Sequence, residues 1–232
     1  MRPNDRGFDP ERVSVVTFDS YGTLVDTDSA ARVLEDLVDD PGAVARRWRE
    51  NALAYSLVAN QIDEYRTYLE LHRSGLRDAL AAEGVELSDE RLDELNGVYH
   101  RLDPYDDVRD GFARLAGAGY RPSILSNGDP GMLDSLVETL DVEGTVGTVV
   151  SADEIRTLKP AAELYEHAAD RLDVPTAEVA HVTAHWMDVL GATHAGMQGV
   201  WLAREGTAWA SFDGDPHLTV ASVDELCEKL VA

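Results

Sequence analysis

Short β-branched runs alternate with stretches of helical spacing along most of the chain. The segment Val13-Ser14-Val15-Val16-Thr17-Phe18 stops at Asp19 and a glycine-containing turn. This predicts a buried strand with an acidic residue at its C-terminal tip. Similar apolar runs occupy 122–126, 147–151, 179–183 and 199–202, and between them residues 130–140, 161–172 and 189–196 place apolar side chains three and four apart. Strand and helix in alternation predict a doubly wound parallel sheet, whose ligands bind beyond the carboxyl ends of the strands. From about Asp28 to Asp103 the alternation stops. That interval has helical patterns at 30–38, 43–58, 61–82 and 89–101, no convincing strand, and Gly75 and Gly84 as interruptions. It predicts a helical cap over residues 28–103, inserted into an α/β core made of 1–27 and 104–232. An extra helical layer with no role at the site is the alternative.

Composition narrows the class. With 232 residues, 44% of them apolar, the chain can bury one large core with a smaller inserted domain. No apolar run approaches the roughly 20 residues of a spanning helix, and the first residues lead into no signal-type segment, so a soluble, cytoplasmic protein away from membranes is expected. The single Cys227 excludes an intrachain disulfide or a thiolate cluster and reads as a small apolar residue of a terminal helix.

The formal charge of −24 is spread along the whole sequence, which argues against nucleic acid as a partner. Of the 20 basic residues 18 are arginine, leaving only Lys159 and Lys229. Such an acidic, lysine-poor surface resembles halophilic proteins, in which concentrated salt screens the self-repulsion; an ordinary acidic cytosolic protein is the alternative.

The expected strand tips gather candidate chemistry in one crevice: Asp19, then Ser126-Asn127-Gly128, then Lys159 beyond the 147–151 run, then Thr183 leading to Asp188. A carboxylate with a cation beside it stays ionised and is a competent nucleophile. Lys159, one of two lysines and followed by Pro160, can be that cation; capping a loop is its other reading. His72, His100, His181, His194 and His217 show no mutual ligand spacing and read as solvated or packed. Asp39-Asp40 and Asp106-Asp107 read as solvated faces and caps, and Asp129 as a helix start.

Asp-Ser-Tyr-Gly-Thr-Leu from Asp19, Ser-Asn-Gly-Asp-Pro from Ser126, Leu158-Lys159-Pro160 and the late Asp188 together resemble the four motifs of the haloacid dehalogenase superfamily, in order and across most of the chain. The resemblance implies a Rossmann-like core with an inserted cap, no cofactor, a small anionic substrate, and compatibility with a homodimer. Tyr21 stands where phosphatases of the superfamily place a second aspartate as proton donor. A phenol with a pKa of about 10 replaces it poorly, whereas a departing halide needs no proton. Within the superfamily the chain is therefore most similar to the L-2-haloacid dehalogenases. By that similarity Asp19 is the nucleophile; Lys159, Asp188 and Thr23 serve it; Arg49 receives the halide; Leu53 and Tyr165 line the site. Ser20, Ser126 and Asn127 would contact substrate carboxylate, nucleophile or halide.

Thr183-Ala184-His185-Trp186-Met187-Asp188 departs from the family pattern. His185 replaces an asparagine and can orient or deprotonate water, or be a satisfied loop histidine. Met187 replaces a pocket tryptophan, which Trp186 either substitutes for or does not. Two other functions remain open: a Mg²⁺-dependent phosphatase with the metal on Asp19 and Asp188, and a member that has lost catalysis and acts by binding.

Overall fold

The computed structural model describes residues 7–206, 208–212 and 214–231. In chain order it has β1 Val15–Phe18, β2 Val25–Asp26, a 3-10 segment Thr27–Leu34, α1 Pro41–Gln61, α2 Tyr68–Ala81, α3 Asp89–Asn96, β3 Asp103–Pro104, α4 Val108–Gly117, β4 Arg121–Ser126, α5 Pro130–Leu140, β5 Val149–Ser151, α6 Ala162–Leu172, β6 Val179–Thr183, α7 Trp186–His194, β7 Gln198–Leu202, β8 Leu218–Val220 and α8 Val223–Leu230. No helix among the described residues is long and apolar enough to cross a membrane.

Six parallel strands run in the order β5-β4-β1-β6-β7-β8. The chain leaves β1 toward β4 and β5, then returns to the opposite side of β1 with β6. Strand order therefore reverses at β1, and a crevice opens beyond its C-terminal end. Alternate residues of the strands enter two separate cores. Val16, Phe18, Ile124, Ala180 and Val182 pack with Phe112 of α4 and Leu226 of α8. Leu125, Val150 and Val179 face the other way, onto Leu164 and Ala168 of α6 and Ala192 of α7. Covered on both faces, the strands can be apolar throughout, which is why they read as unbroken runs. The fold is α/β, a doubly wound parallel sheet with an inserted helical cap.

The helix boundaries follow local chemistry. Asp129 accepts from the Met132 N–H and Pro130 opens α5, so Asp129 is the helix start expected of it. Asp40 and Pro41 do the same for α1, and Thr67 with Glu70 forms a capping box for α2. The expected helix over 61–82 is broken, since Asp63 adopts φ 57° and α2 begins only at Tyr68. Gly75 does not interrupt α2. A Cβ there would lie 2.8 Å from the Trp48 carbonyl oxygen, so glycine lets α1 and α2 pack closely. Gly84, with φ +76°, does follow a helix end. The interval also closes with a strand, β3, which pairs antiparallel with β2 where the chain leaves and re-enters the core. Cys227 is buried on α8.

Candidate active site

Asp19 is the first residue beyond β1, at the strand-order reversal. Its backbone N–H donates to the Val182 carbonyl, extending the β1–β6 ladder and fixing where the side chain starts. One carboxylate oxygen accepts from the Thr23 hydroxyl at 2.8 Å and the other from Lys159 Nζ at 3.0 Å. Thr23 is itself fixed by the Ala184 N–H at 3.0 Å. Gly22, at φ +84°, lets the chain turn between Asp19 and Thr23, and a Cβ there would meet His185 Nε2 at 3.1 Å.

Lys159 Nζ bridges two carboxylates, donating also to Asp188 Oδ2 at 2.9 Å. Burial by itself would lower the pKa of this ammonium; the charges of Asp188 and then Asp19 outweigh it and hold the pKa above the ordinary value. Its loop is pinned from two sides. Asn127 Oδ1 accepts the Lys159 backbone N–H at 2.7 Å, and the Asn60 amide, from the end of α1, exchanges two hydrogen bonds with Leu158.

Asp188, in the first turn of α7, takes two further donors. Tyr165 Oη donates to Oδ1 at 2.6 Å, and His181 Nε2 lies 3.1 Å from both oxygens. Burial opposes its ionisation, but His181, Lys159 and the hydrogen bonds prevail and hold the carboxyl far below the usual carboxylate range. A carboxylate so fully engaged is a fixed anion with little basicity. Tyr165 is buried beside that anion, and its phenol is pushed well above the ordinary value. Gly191 of α7 lies against this tyrosine, and a Cβ there would stand 2.6 Å from Tyr165 Oη and 2.8 Å from Pro160. Gly191→Ala is expected to cost roughly 1–3 kcal/mol by overpacking and to displace Tyr165 from Asp188. Thermal unfolding and turnover of that variant, compared with Gly191→Ala/Tyr165→Phe, check this.

A cavity of about 330 Å³ opens in front of these groups, lined by Asp19, Lys159, Asp188 and by Tyr21, Arg49, Leu53, Asn127, His185 and Met187. Nine of the anticipated residues thus face one space. Thr23 and Tyr165 touch the carboxylates from behind. Ser20 and Ser126 join hydroxyls at 2.5 Å, with Ser126 Oγ also accepting the Gly128 N–H, and Thr183 Oγ1 accepts the His185 N–H. Those three hydroxyls serve the loops. Arg49 reaches Thr27 Oγ1 at 2.9 Å and Asp28 at 2.6 Å. Trp186 does not line the cavity and stacks on Phe212 instead.

Tyr21 stands in an apolar wall of the cavity. Its ring packs on Tyr68 and Tyr99, its buried hydroxyl has no hydrogen-bond partner among the described residues, and burial raises its pKa well above the ordinary value. His72, Tyr68 and Tyr99 complete that wall and were not anticipated. His72 is packed, as expected, and burial pushes its pKa down to about 3, so the ring is neutral. His181 is packed, as expected, with 0% exposure, and its ring in addition contacts Asp188. The available signal was position, two residues before Thr183 on the same strand and hence on the same face.

A carboxylate at the tip of β1, bridged by lysine to a second aspartate beneath inserted helices, is the core of this site. A family model described as haloacid dehalogenase-like hydrolase matches residues 13–196, and the chain belongs to that family. Within it, the chain is 33% identical over 193 residues to a (S)-2-haloacid dehalogenase of Xanthobacter autotrophicus, covering 83% of this chain and 76% of that one. It is 32% identical over 190 residues to (S)-2-haloacid dehalogenase 4A of Burkholderia cepacia, covering 82% of each. The solved structure of L-2-haloacid dehalogenase from Xanthobacter autotrophicus with chloropropionic acid covalently bound superposes with a TM-score of 0.87 at 27% identity, over 93% of this chain and 97% of that one.

Proposed function

We propose that this protein hydrolyses L-2-haloalkanoic acids to D-2-hydroxy acids through an aspartyl ester on Asp19. The observation that carries this is the pairing of a Thr23- and Lys159-held carboxylate with Tyr21, a residue unable to protonate a leaving alkoxide. An Asp19 oxygen attacks C2 opposite the halogen, the C–O bond forms as the carbon–halogen bond breaks, and the halide leaves with the bonding pair toward Arg49 and Asn127. The Asn127 carbonyl is taken by the Lys159 N–H, which leaves its NH₂ for the halide. Leu53 and Met187 wall the alkyl chain, and backbone N–H groups near Ser20 and Ser126 hold the substrate carboxylate.

Water then attacks the ester carbonyl carbon, and Lys159 stabilises the oxygen on which charge develops; the intermediate collapses as the bond from that carbon to the substrate oxygen breaks, the D-2-hydroxy acid leaves with the proton that His185 has taken from water, and the Asp19 carboxylate is restored. Asp188, already saturated by donors, keeps Lys159 in place rather than accepting a proton. His185 Nε2 lies 3.0 Å from the Tyr21 carbonyl oxygen and so carries a hydrogen. The lone pair on Nδ1 takes the proton from water, the role that replacement of asparagine leaves open.

A magnesium-dependent phosphatase fits these residues less well. Asp19 and Asp188 both bond to the lysine ammonium, and the nearby Tyr21 carbonyl accepts the His185 N–H, so the oxygens a cation would need already have donors. Among the described residues no group of three or more acidic, histidine or cysteine side chains is placed to hold a metal ion.

The same proposal takes residues 28–103 as the cap and 1–27 with 104–232 as the core. It places the protein in the cytoplasm of a salt-accumulating cell, supported by the charge of −24, and pairs it as a homodimer. The test is bromide release from L- and D-2-bromopropionate with EDTA in concentrated KCl, beside phosphate release from p-nitrophenyl phosphate with Mg²⁺. Metal-independent release from the L-isomer with D-lactate as product is expected. Phosphate release alone would favour the phosphatase, and no turnover in either assay a binding role.

A further inference from the structure

We infer that His181, anchored by Thr17, is a positioning residue for the second half of the reaction, the hydrolysis of the ester; this rests on the dehalogenase proposal above. His181 on β6 and Thr17 on β1 are Cα partners in the parallel ladder, so their side chains meet on the sheet face that carries Tyr165. Thr17 Oγ1 lies 2.9 Å from His181 Nδ1, and His181 Nε2 lies 3.1 Å from each Asp188 oxygen. The carboxylate can only accept, so we assign the hydrogen to Nε2; Nδ1 then accepts the threonine hydroxyl proton. Both residues are fully buried, and neither lines the cavity. The pair acts through Asp188, with His181 Nε2 also 3.5 Å from Lys159 Nζ, and touches no substrate.

The need for such a support follows from the charges. Before reaction, Lys159 is held between two anions, Asp19 at 3.0 Å and Asp188 at 2.9 Å. Alkylation converts Asp19 into a neutral ester, and the ion pair on that side is lost. Asp188 alone must then keep a flexible lysine aimed at the ester carbonyl. Tyr165 Oη fixes Oδ1 of that carboxylate, and His181 bears on both oxygens, with its own ring locked by Thr17. Without His181, Asp188 can rotate about its side-chain torsions and carry Lys159 away from the carbonyl. In the first half-reaction the charged Asp19 still holds Lys159, so ester formation suffers little. A misplacement of about 1 Å at a reacting centre can lower a rate on the order of 100-fold, and the loss should fall on hydrolysis.

Rapid-quench single turnovers of the whole protein with L-2-bromopropionate test this, following bromide, D-lactate and the ester on Asp19 by mass. His181→Phe keeps a ring and removes the donor; His181→Gln keeps an N–H; Thr17→Val cuts the anchor. The expected result for His181→Phe is bromide release near the wild-type rate, D-lactate release slower on the order of 100-fold, and accumulated ester. His181→Gln should recover much of that loss, and Thr17→Val should show a smaller loss in the same step, which keeps the question answerable if His181→Phe does not fold. Equal slowing of both steps, unchanged D-lactate release, or His181→Gln no better than His181→Phe would overturn the assignment. Absence of bromide release from the wild-type protein would instead remove the dehalogenase proposal itself.

Discussion

Asp19→Asn is expected to lower halide release from L-2-bromopropionate by about 10⁴-fold or more, the scale on which loss of a covalent nucleophile acts. The substitution preserves shape but removes the charge that attacks C2. It also turns one acceptor into a donor, so one of the contacts from Thr23 and Lys159 at 2.8 and 3.0 Å is lost. Ion-selective measurement of bromide with the purified variant, beside its melting curve, separates loss of chemistry from loss of fold. A folded variant that still releases bromide at a tenth of the wild-type rate would show that another group attacks.

Lys159→Met should be the most destabilising single change at the site. The ammonium is 5% exposed and bridges two carboxylates, so its removal leaves two buried anions without their cation. Breaking a buried pair in this way costs roughly 3–5 kcal/mol. The pH dependence has a definite sign. In the wild type the Lys159 pKa is raised, so its stabilisation is complete below the unfolded value near 10.5 and disappears as pH rises through the folded value. Asp188 is depressed, so its contribution is present above the unfolded value of 3.8 and disappears as pH falls toward the folded one. In the variant the buried carboxylates lose the cation between them, and Asp188 loses one of the charges that hold its pKa down. The deficit should therefore be largest at neutral pH and shrink as acid protonates the carboxylates. Urea unfolding from pH 3 to 8 reads this directly; a deficit independent of pH across that range would mean that lost packing, not charge, dominates.

Much of the site was legible because strand tips in a parallel sheet converge, and short apolar runs mark those tips. Asp19, Asn127, Lys159 and Asp188 all follow such runs in the sequence, and all four line the same cavity. What stayed hidden depends on contacts between distant segments. The strand β8 has three residues, too short for a period to show. Gly75 interrupts a helical pattern in the sequence, yet in space it admits the Trp48 carbonyl. His181 looks like any buried histidine until its register against Thr17 and its distance to Asp188 are known. The engaged state of Asp188 likewise cannot be read from one residue, since its donors come from β6, α6 and the Lys159 loop. His185 stands out in the sequence as a departure from the family pattern, but its bond to the Tyr21 carbonyl, which puts the hydrogen on Nε2, depends on the folded turn.

The proposed reaction depends on a covalent bond between Asp19 and the substrate. It is tested most directly by quenching the wild-type protein in acid within one turnover of excess L-2-bromopropionate and measuring the mass of the intact chain, then of the peptide containing Asp19. The expected result is a protein heavier by one propionate unit, carried on Asp19 and absent with the D-isomer. Bromide released with no mass gained at any time point, or a mass gained on another residue, would contradict it.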